Sequence, residues 1–388
     1  MPRIPCLLAC TAAFFAVGAC AQSPAPSPAA ASVSIAAEPT KTVETEAGTL
    51  GVYEVAVGLD HPWGIAFLPD GRALVTERAG RLRLIGNDSI STVTGTPPVA
   101  DEGQGGLLDV ALGPDFAESG LVYLTYAKPG PDGMAATAVG RGRLDDGALT
   151  EFEEIWAQAP FQSGGRHFGS RIAFRDGMLF VSTGDRGQKD PAQELRNTIG
   201  TVVRLNPDGS VPDDNPFVDT PDARPEIWSY GVRNGQSLAV NPATNELWEA
   251  EFGPRGGDEL NLIERGANYG WPLVSSGRNY SGTPIPDPST RPDLTAAVRD
   301  WSPVISPSGM LFYTSDTIPE WTGSLMLGSL GRGGIVRMEL DGRKVTHEET
   351  VELGERIRDV EQGPDGSVYV LTDAGDGAVW RLAPLPAD

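Results

Sequence analysis

The chain has 388 residues, a formal net charge of -22 and only three cysteines. So negative a surface repels phosphate backbones, which argues against nucleic acid as a partner. The 48 glycines and 33 prolines follow no Gly-X-Y period, and 40% hydrophobic residues set in alternating strands suffice to bury a core, so collagen-like and disordered chains are excluded.

At the N-terminus Arg3 precedes a mostly apolar run from Leu7 to Val17, then Gly18-Ala19-Cys20 and a Pro/Ser/Ala-rich stretch to about Ala37. This predicts an export signal over residues 1–21 and a linker over 22–47. Val17-Gly18-Ala19-Cys20 resembles the bacterial lipobox, in which the cysteine is lipidated, while Ala19-Cys20-Ala21 would also serve an ordinary signal peptidase. The expected location is the periplasm, with an outer-membrane lipid anchor if Cys20 is modified. Cys6, Cys10 and Cys20 all lie in this segment, so the folded body needs neither disulfides nor thiolate metal sites.

From residue 48 to 388 one unit recurs: a short apolar strand, a turn of the Pro-Asp-Gly sort, and a second strand ending near a polar residue. The apolar strands are Gly64-Ile65-Ala66-Phe67, Val110-Ala111-Leu112, Ile172-Ala173-Phe174, Leu238-Ala239-Val240, Met310-Leu311-Phe312 and a segment at Val360. Recurrence at roughly 45 to 70 residues predicts an all-β, six-bladed β-propeller in a single domain. Glycine at the many chain reversals supplies the positive φ that tight turns require.

Candidate chemistry follows in chain order. Of the three histidines, His61 and His347 read as surface residues, beside a Pro-Trp turn and in a Lys/Glu-rich stretch. His167 lies in Gly164-Gly165-Arg166-His167-Phe168-Gly169, a glycine-rich loop before a strand, where a propeller presents side chains to its axial pocket. Asp185, in Ser182-Thr183-Gly184-Asp185-Arg186-Gly187, closes the same blade and is placed to orient that imidazole, although Gly-Asp after a strand is equally a plain turn. In Gly231-Val232-Arg233-Asn234-Gly235-Gln236, Arg233 offers a donor fork for a carboxylate or a developing oxyanion, or else a structural ion pair. Glu249, Glu251, Asp258 and Glu259 crowd around Gly253-Pro254, a hard-oxygen set suited to calcium or simply a solvated acidic turn. Arg332 sits in Leu330-Gly331-Arg332-Gly333-Gly334. Arg356 and Arg358 alternate in Glu355-Arg356-Ile357-Arg358-Asp359, so their guanidiniums share a face. Asp359 or Glu355 are possible partners, but a ligand with several carboxylates would account for Arg233, Arg332, Arg356 and Arg358 together.

The combination of Arg-His-Phe-Gly, Gly-Val-Arg-Asn, Glu-Phe-Gly-Pro-Arg-Gly-Gly-Asp-Glu, Asn268-Tyr269-Gly270-Trp271-Pro272 and Arg-Ile-Arg-Asp resembles the soluble quinoprotein aldose sugar dehydrogenases, bacterial relatives of soluble glucose dehydrogenase. The resemblance covers about residues 50 to 385. It implies bound pyrroloquinoline quinone (PQQ) and calcium, and oxidation of the anomeric C1 hydroxyl of an aldose to a lactone with electrons passed to an external quinone, cytochrome or dye. It further implies His167 as the base, supported by Asp185. Gln104, Arg233, Asn234, Tyr280, Arg356 and Arg358 become cofactor contacts. Calcium on the quinone is held by the carbonyls of Gly253 and Pro254, and a second, structural calcium by Glu259 and the backbone of Tyr269. Two departures stand out: Gly331 occupies the position of a lysine in the glucose enzyme, leaving Arg332 to supply any charge there, and Arg166 stands where that enzyme has an acidic residue. A monomer is expected. Two other readings fit part of the pattern, a non-catalytic carbohydrate-binding propeller and a calcium-dependent sugar lactonase, the latter leaving the arginines unexplained.

Overall fold

The computed structural model describes residues 1–2, 31–33 and 38–386, so the export and lipidation expectations lie outside the described residues. Strands group into six antiparallel sheets. Blade 1 comprises Pro62–Phe67, Ala73–Glu77, Arg81–Ile85 and Ile90–Val93; blade 2, Leu107–Leu112, Leu121–Pro129, Ala135–Asp145 and Ala148–Ala157; blade 3, Gly169–Arg175, Met178–Thr183, Thr201–Leu205 and Ile227–Tyr230. Blade 4 comprises Gly235–Asn241, Glu246–Glu251, Asp258–Leu262 and Arg299–Trp301, and blade 5, Pro307–Phe312, Leu325–Ser329, Gly334–Asp341 and Lys344–Glu352. Blade 6 takes Ile357–Gln362, Val368–Thr372 and Gly377–Pro384 from the C-terminal end, and its fourth strand, Gly48–Leu59, from the N-terminal end. The all-β, six-bladed expectation therefore holds.

All six sequence repeats fall on the first strand of a blade, and these first strands pack on one another in a closed ring around the axis. Between each pair of neighbouring blades lies an apolar cluster, such as Leu247, Trp228 and Phe180 between blades 3 and 4 or Trp248, Leu327 and Phe312 between blades 4 and 5. Burial of one such side chain contributes about 1.5–3 kcal/mol, so six apolar seams hold the ring without disulfides.

The ordered sheet begins earlier than expected. Lys41–Thr45 and Ser32–Val33, inside the stretch expected to be linker, both pair with the outer side of Gly48–Leu59. An exposed sheet edge leaves a row of unpaired amides and carbonyls, and short flanking strands satisfy it. Only Val43 of Lys41–Thr45 is buried, which is why its composition reads as linker.

Because the six inner strands run in the same sense about the axis, the loops entering them all gather at one mouth. The Pro-Asp-Gly turns leaving them gather at the other. Each inner strand also pairs irregularly near its start, for example between Gly169 and Ile172 and between Ile357 and Asp359. Such bulges redirect side chains at a strand end. Below the mouth the axis is filled by Arg171, whose guanidinium lies 3.0 Å from Asp109 and 2.9 Å from Asp359. Arg171 also donates to the carbonyls of Gln236 and Arg358 at 3.0 and 2.9 Å and stacks 4.1 Å above the Trp63 ring.

Candidate active site

His167 enters the mouth from the loop before the inner strand of blade 3, with a left-handed backbone at φ 55°. Two neighbours hold that conformation. Gln104, from the loop before blade 2, accepts the His167 amide on Oε1 at 2.7 Å and donates its own amide to the Gly165 carbonyl at 2.6 Å. Arg186 donates to the carbonyls of Gly164 (2.6 Å) and Arg166 while its guanidinium stacks on Phe168 at 3.4 Å. Close approach requires glycine at position 184, since a Cβ there would stand 2.0 Å from the His167 carbonyl oxygen.

The imidazole Nδ1 lies 2.6 Å from Asp185 Oδ1, and Asp185 Oδ2 accepts from Trp271 Nε1 at 2.8 Å. Asp185 Oδ1 also accepts the Gly187 amide at 2.6 Å. A carboxylate so held requires the proton on Nδ1, which leaves the Nε2 lone pair free to accept a proton. Burial pushes the His167 pKa below its ordinary value, outweighing Asp185, and the charge of Arg233 pushes it the same way. Burial alone would raise Asp185, but the hydrogen bond from His167 prevails and holds it below the usual carboxylate range. The imidazole is therefore neutral and the carboxylate ionised at neutral pH. For a reaction that uses this base, the rate is expected to be lost as pH falls through a pKa lying below the ordinary imidazole value. A pH profile of kcat/KM checks this, and an acid limb at or above that value contradicts it.

Beside this pair a cavity of about 190 Å³ is lined by Trp63, Arg78, Gln104, Gln236, Arg356 and Arg358, with Phe252, Ser306, Leu330 and Asp373 completing it. Arg356 and Arg358 do point together, as alternation predicts. Their protein partner is neither Asp359, which pairs with Arg171, nor Glu355; it is Asp373, whose Oδ2 lies 2.9 and 3.1 Å from the two guanidiniums. One carboxylate facing two arginines leaves an excess of positive charge. Arg358 Nε, a donor, and Asp373 Oδ1, an acceptor, are both buried without any hydrogen-bond partner. The first calls for a further acceptor such as a carboxylate and the second for a donor, so the cavity suits a polar group carrying both.

Arg233 reaches the mouth from the loop before blade 4, donating to the carbonyls of Phe252 and Gly253 at 2.8 and 2.9 Å and to the Tyr280 hydroxyl at 3.4 Å. It is in none of the ion pairs among the described residues, so the structural ion-pair alternative does not apply. Asn234 Oδ1 is committed to the Gly169 amide at 3.1 Å. Tyr280 is 67% exposed over the mouth.

Arg332 is not part of the cavity. It turns outward to Glu348 Oε1 (3.0 Å) and Thr350 (3.1 Å) on the outer strand of blade 5, so it does not replace the missing lysine. Gly331 contributes backbone only, next to Leu330, whose carbonyl accepts from Arg356 at 2.9 Å.

Residues 59–381 match the glucose/sorbosone dehydrogenase family profile. The chain belongs to the glucose/sorbosone dehydrogenase family. It is 45% identical over 348 residues to aldose sugar dehydrogenase YliI of Escherichia coli K12, covering 87% of this chain and 93% of that protein. Among solved structures it resembles the apo form of the soluble aldose sugar dehydrogenase of Escherichia coli (45% identity, TM-score 0.83, 87% of this chain and 100% of that one). It also resembles the PQQ-bound aldose sugar dehydrogenase of Streptomyces coelicolor (28% identity, TM-score 0.70, 89% and 99%). This is a family of oxidoreductases.

The acidic stretch of this glucose/sorbosone dehydrogenase family member is folded differently from a solvated turn. Glu249 and Glu251 face Asn261 across paired strands, with Asn261 Nδ2 at 3.3 and 3.4 Å from the two carboxylates, and Glu259 lies directly across from Glu251. Glu249 Oε1 and Asn261 Oδ1 are buried without partners. Asp258 instead anchors the next loop, accepting the amides of Gly253, Ile305 and Ser306 at 2.8, 2.8 and 2.6 Å. Tyr269 packs nearby, its hydroxyl donating to the Leu262 carbonyl at 2.5 Å. Burial raises Glu251 to about 7 and Asp258 to about 6, and pushes Glu249 and Glu259 well above the usual range. Among the described residues no three carboxylate or imidazole groups converge as a closed metal shell.

Groups raised on folding hold protons that the unfolded chain has released, so they stabilise most below the unfolded pKa, and that stability is lost as pH rises through the folded value. In chelator-treated protein, Glu249→Gln is expected to flatten the fall in urea midpoint as pH rises above the ordinary carboxylate range. An unchanged slope would remove Glu249 as its source.

Reading along the chain missed Arg78 and Asp373. Both immediately follow the second strand of a blade, one position before the place Asp185 occupies after Met178–Thr183 in blade 3, so a search of those strand ends would have found them. Arg78 donates to the carbonyls on either side of Gln104, at 2.5 Å for Gly103 and 3.3 Å for Gly105.

Proposed function

We propose that this chain oxidises the anomeric C1 hydroxyl of aldoses to lactones, with PQQ and calcium as its cofactors. The observation that carries this reading is the opening of the His167–Asp185–Trp271 chain onto the same mouth as an arginine-lined cavity holding an unsatisfied Arg358 Nε. The donor set fits an anionic quinone: Arg356 and Arg358 would hold its carboxylates, Gln104 and Arg78 line the same cavity, and Arg233, Asn234 and Tyr280 stand beside it. The carbonyls of Gly253 and Pro254 would serve calcium, hard oxygens of the type that ion takes. Glu259 and the Tyr269 backbone would serve a structural calcium. When bound, PQQ polarised by calcium supplies an electrophilic carbonyl that takes up hydride.

The protein's own part is the proton. His167 Nε2 accepts it from the C1 hydroxyl, and Asp185 stabilises the resulting imidazolium while Trp271 holds Asp185 in place. Electrons then pass to an external acceptor. Export through residues 1–21, with lipidation at Cys20, and action as a monomer belong to the same proposal; the mass of the mature N-terminal peptide tests the lipidation. The function is tested by loading purified protein with PQQ and calcium and offering a panel of aldoses with a redox dye. Dye reduction that needs sugar, quinone and calcium together is expected. No reduction with any aldose would refute the reading.

A further inference from the structure

Among the described residues, most arginines lie within 4.0 Å of a carboxylate, including exposed ones such as Arg72, Arg291 and Arg343. Apart from Arg143 and Arg265, which donate to backbone carbonyls far from the mouth, the arginines with no such partner are Arg166, Arg186, Arg233, Arg255 and Arg278. All five belong to loops at the His167 mouth. Arg186 is buried under Phe168, and Arg233 is bonded to carbonyls and Tyr280. Arg166, Arg255 and Arg278 are exposed.

Three details tie these cations to the site. The Arg166 side chain lies against Gly187, two residues beyond Asp185, and its charge is felt at His167. Lys189, also without a carboxylate partner, stands 5.8 Å from the centre of the Trp271 ring, and Arg233 lies 5.3 Å from the same ring. Its ammonium donates to Asn279 Oδ1 at 2.7 Å, fastening the loop that bears Tyr280. Lys189 does this from a backbone conformation of φ 63° and ψ -83°, which non-glycine residues seldom adopt outside functional sites. Arg255 and Arg278 face each other in an isolated antiparallel bridge, joined by backbone bonds of 3.2 and 3.1 Å. Like charges directly opposite in such a pair repel and are relieved by a shared anion.

The cavity cations Arg356 and Arg358 are already assigned to cofactor carboxylates, and they lie across the mouth from this group. A chain of net charge -22 that gathers several unneutralised cations at one rim concentrates anions there. We infer that the substrate is an anionic aldose, carrying a carboxylate or phosphate remote from C1, whose charge is received by Lys189, Arg166 and the Arg255–Arg278 pair. This rests on the sugar-oxidising reading above and names its substrate class.

The test uses protein loaded with PQQ and calcium. Calorimetry compares 1,5-anhydroglucitol, which lacks the reacting hydroxyl, with its 6-phosphate; dye assays compare glucose, glucuronate and glucose 6-phosphate at low and high salt. The phosphate analogue is expected to bind at least about tenfold tighter than the neutral one at low ionic strength, an advantage that shrinks as salt screens exposed charge. KM is expected to follow the same order, and the glucuronate and phosphate arms tell which anion is preferred. In the Lys189→Gln, Arg278→Gln double variant the neutral-to-anionic ratio is expected to fall toward one. Equal binding of the two analogues, or a preference that survives both the salt and the double variant, overturns the inference. A failure to oxidise any sugar while the phosphate analogue still binds tighter is a different result, and refutes the dehydrogenase reading alone.

Discussion

His167→Ala is expected to lower kcat by about 10²–10⁴ while leaving quinone binding in place, since that is the range a positioned general base supplies. The reason for a loss in kcat rather than in affinity is geometric. The His167 side chain bonds only Asp185 among the described residues, whereas its backbone amide, which alanine retains, is what Gln104 holds. Asp185→Asn is the informative companion, because an amide at 185 can present its NH₂ to Nδ1 and so stabilise the wrong tautomer. Its expected defect approaches that of the alanine variant although its shape is nearly unchanged. The measurements are single-turnover reduction of the loaded protein by sugar, followed in the quinone spectrum, and quinone titration of both variants. Undiminished turnover in His167→Ala would assign the proton to some other group.

Arg171→Met should be the most destabilising substitution away from the mouth. The guanidinium is buried, lies within 3.0 Å of both Asp109 and Asp359, and also satisfies two carbonyls. Removing it strands two carboxylates in the axis, and breaking a buried ion pair from one side costs about 3–5 kcal/mol. Burial already raises Asp109 to about 6 and pushes Asp359 upward despite Arg171. Without the arginine both carboxyls would take up protons more readily, so the defect should be smaller at pH 5 than at pH 8. Urea unfolding at the two pH values measures it. A loss below about 1 kcal/mol, or one indifferent to pH, would mean that Arg171 fills space without neutralising the axis.

How much of this was legible along the chain depends on whether a feature is carried by one strand or by the meeting of several. The blades were legible because each inner strand is an apolar run that ends at its own turn, as in Gly64–Phe67 before Pro69-Asp70-Gly71. His167 and Asp185 were legible because both flank strands of one blade, and closing the sheet must bring them together. Lys41–Thr45 was not, because it shields an edge with a single buried valine. Arg332 was misjudged for a related reason. A position in a loop says which rim a residue sits on but not which way it turns, and Glu348, the carboxylate that draws it outward, belongs to an outer strand of the same blade. Likewise the counter-ion of Arg356 and Arg358 is separated from them by a whole strand pair, and Thr372-Asp373 on its own reads as any turn.

The last blade is stitched from both ends of the folded chain, with Gly48–Leu59 clasped to Gly377–Pro384. A ribosome must therefore finish nearly the whole polypeptide before the circle can be sealed, and until then five blades wait with two raw apolar flanks. Loss of Gly377–Pro384 would strip Gly48–Leu59 of the strand that joins it to the rest of its blade, so premature termination should yield an aggregating product rather than a shortened enzyme.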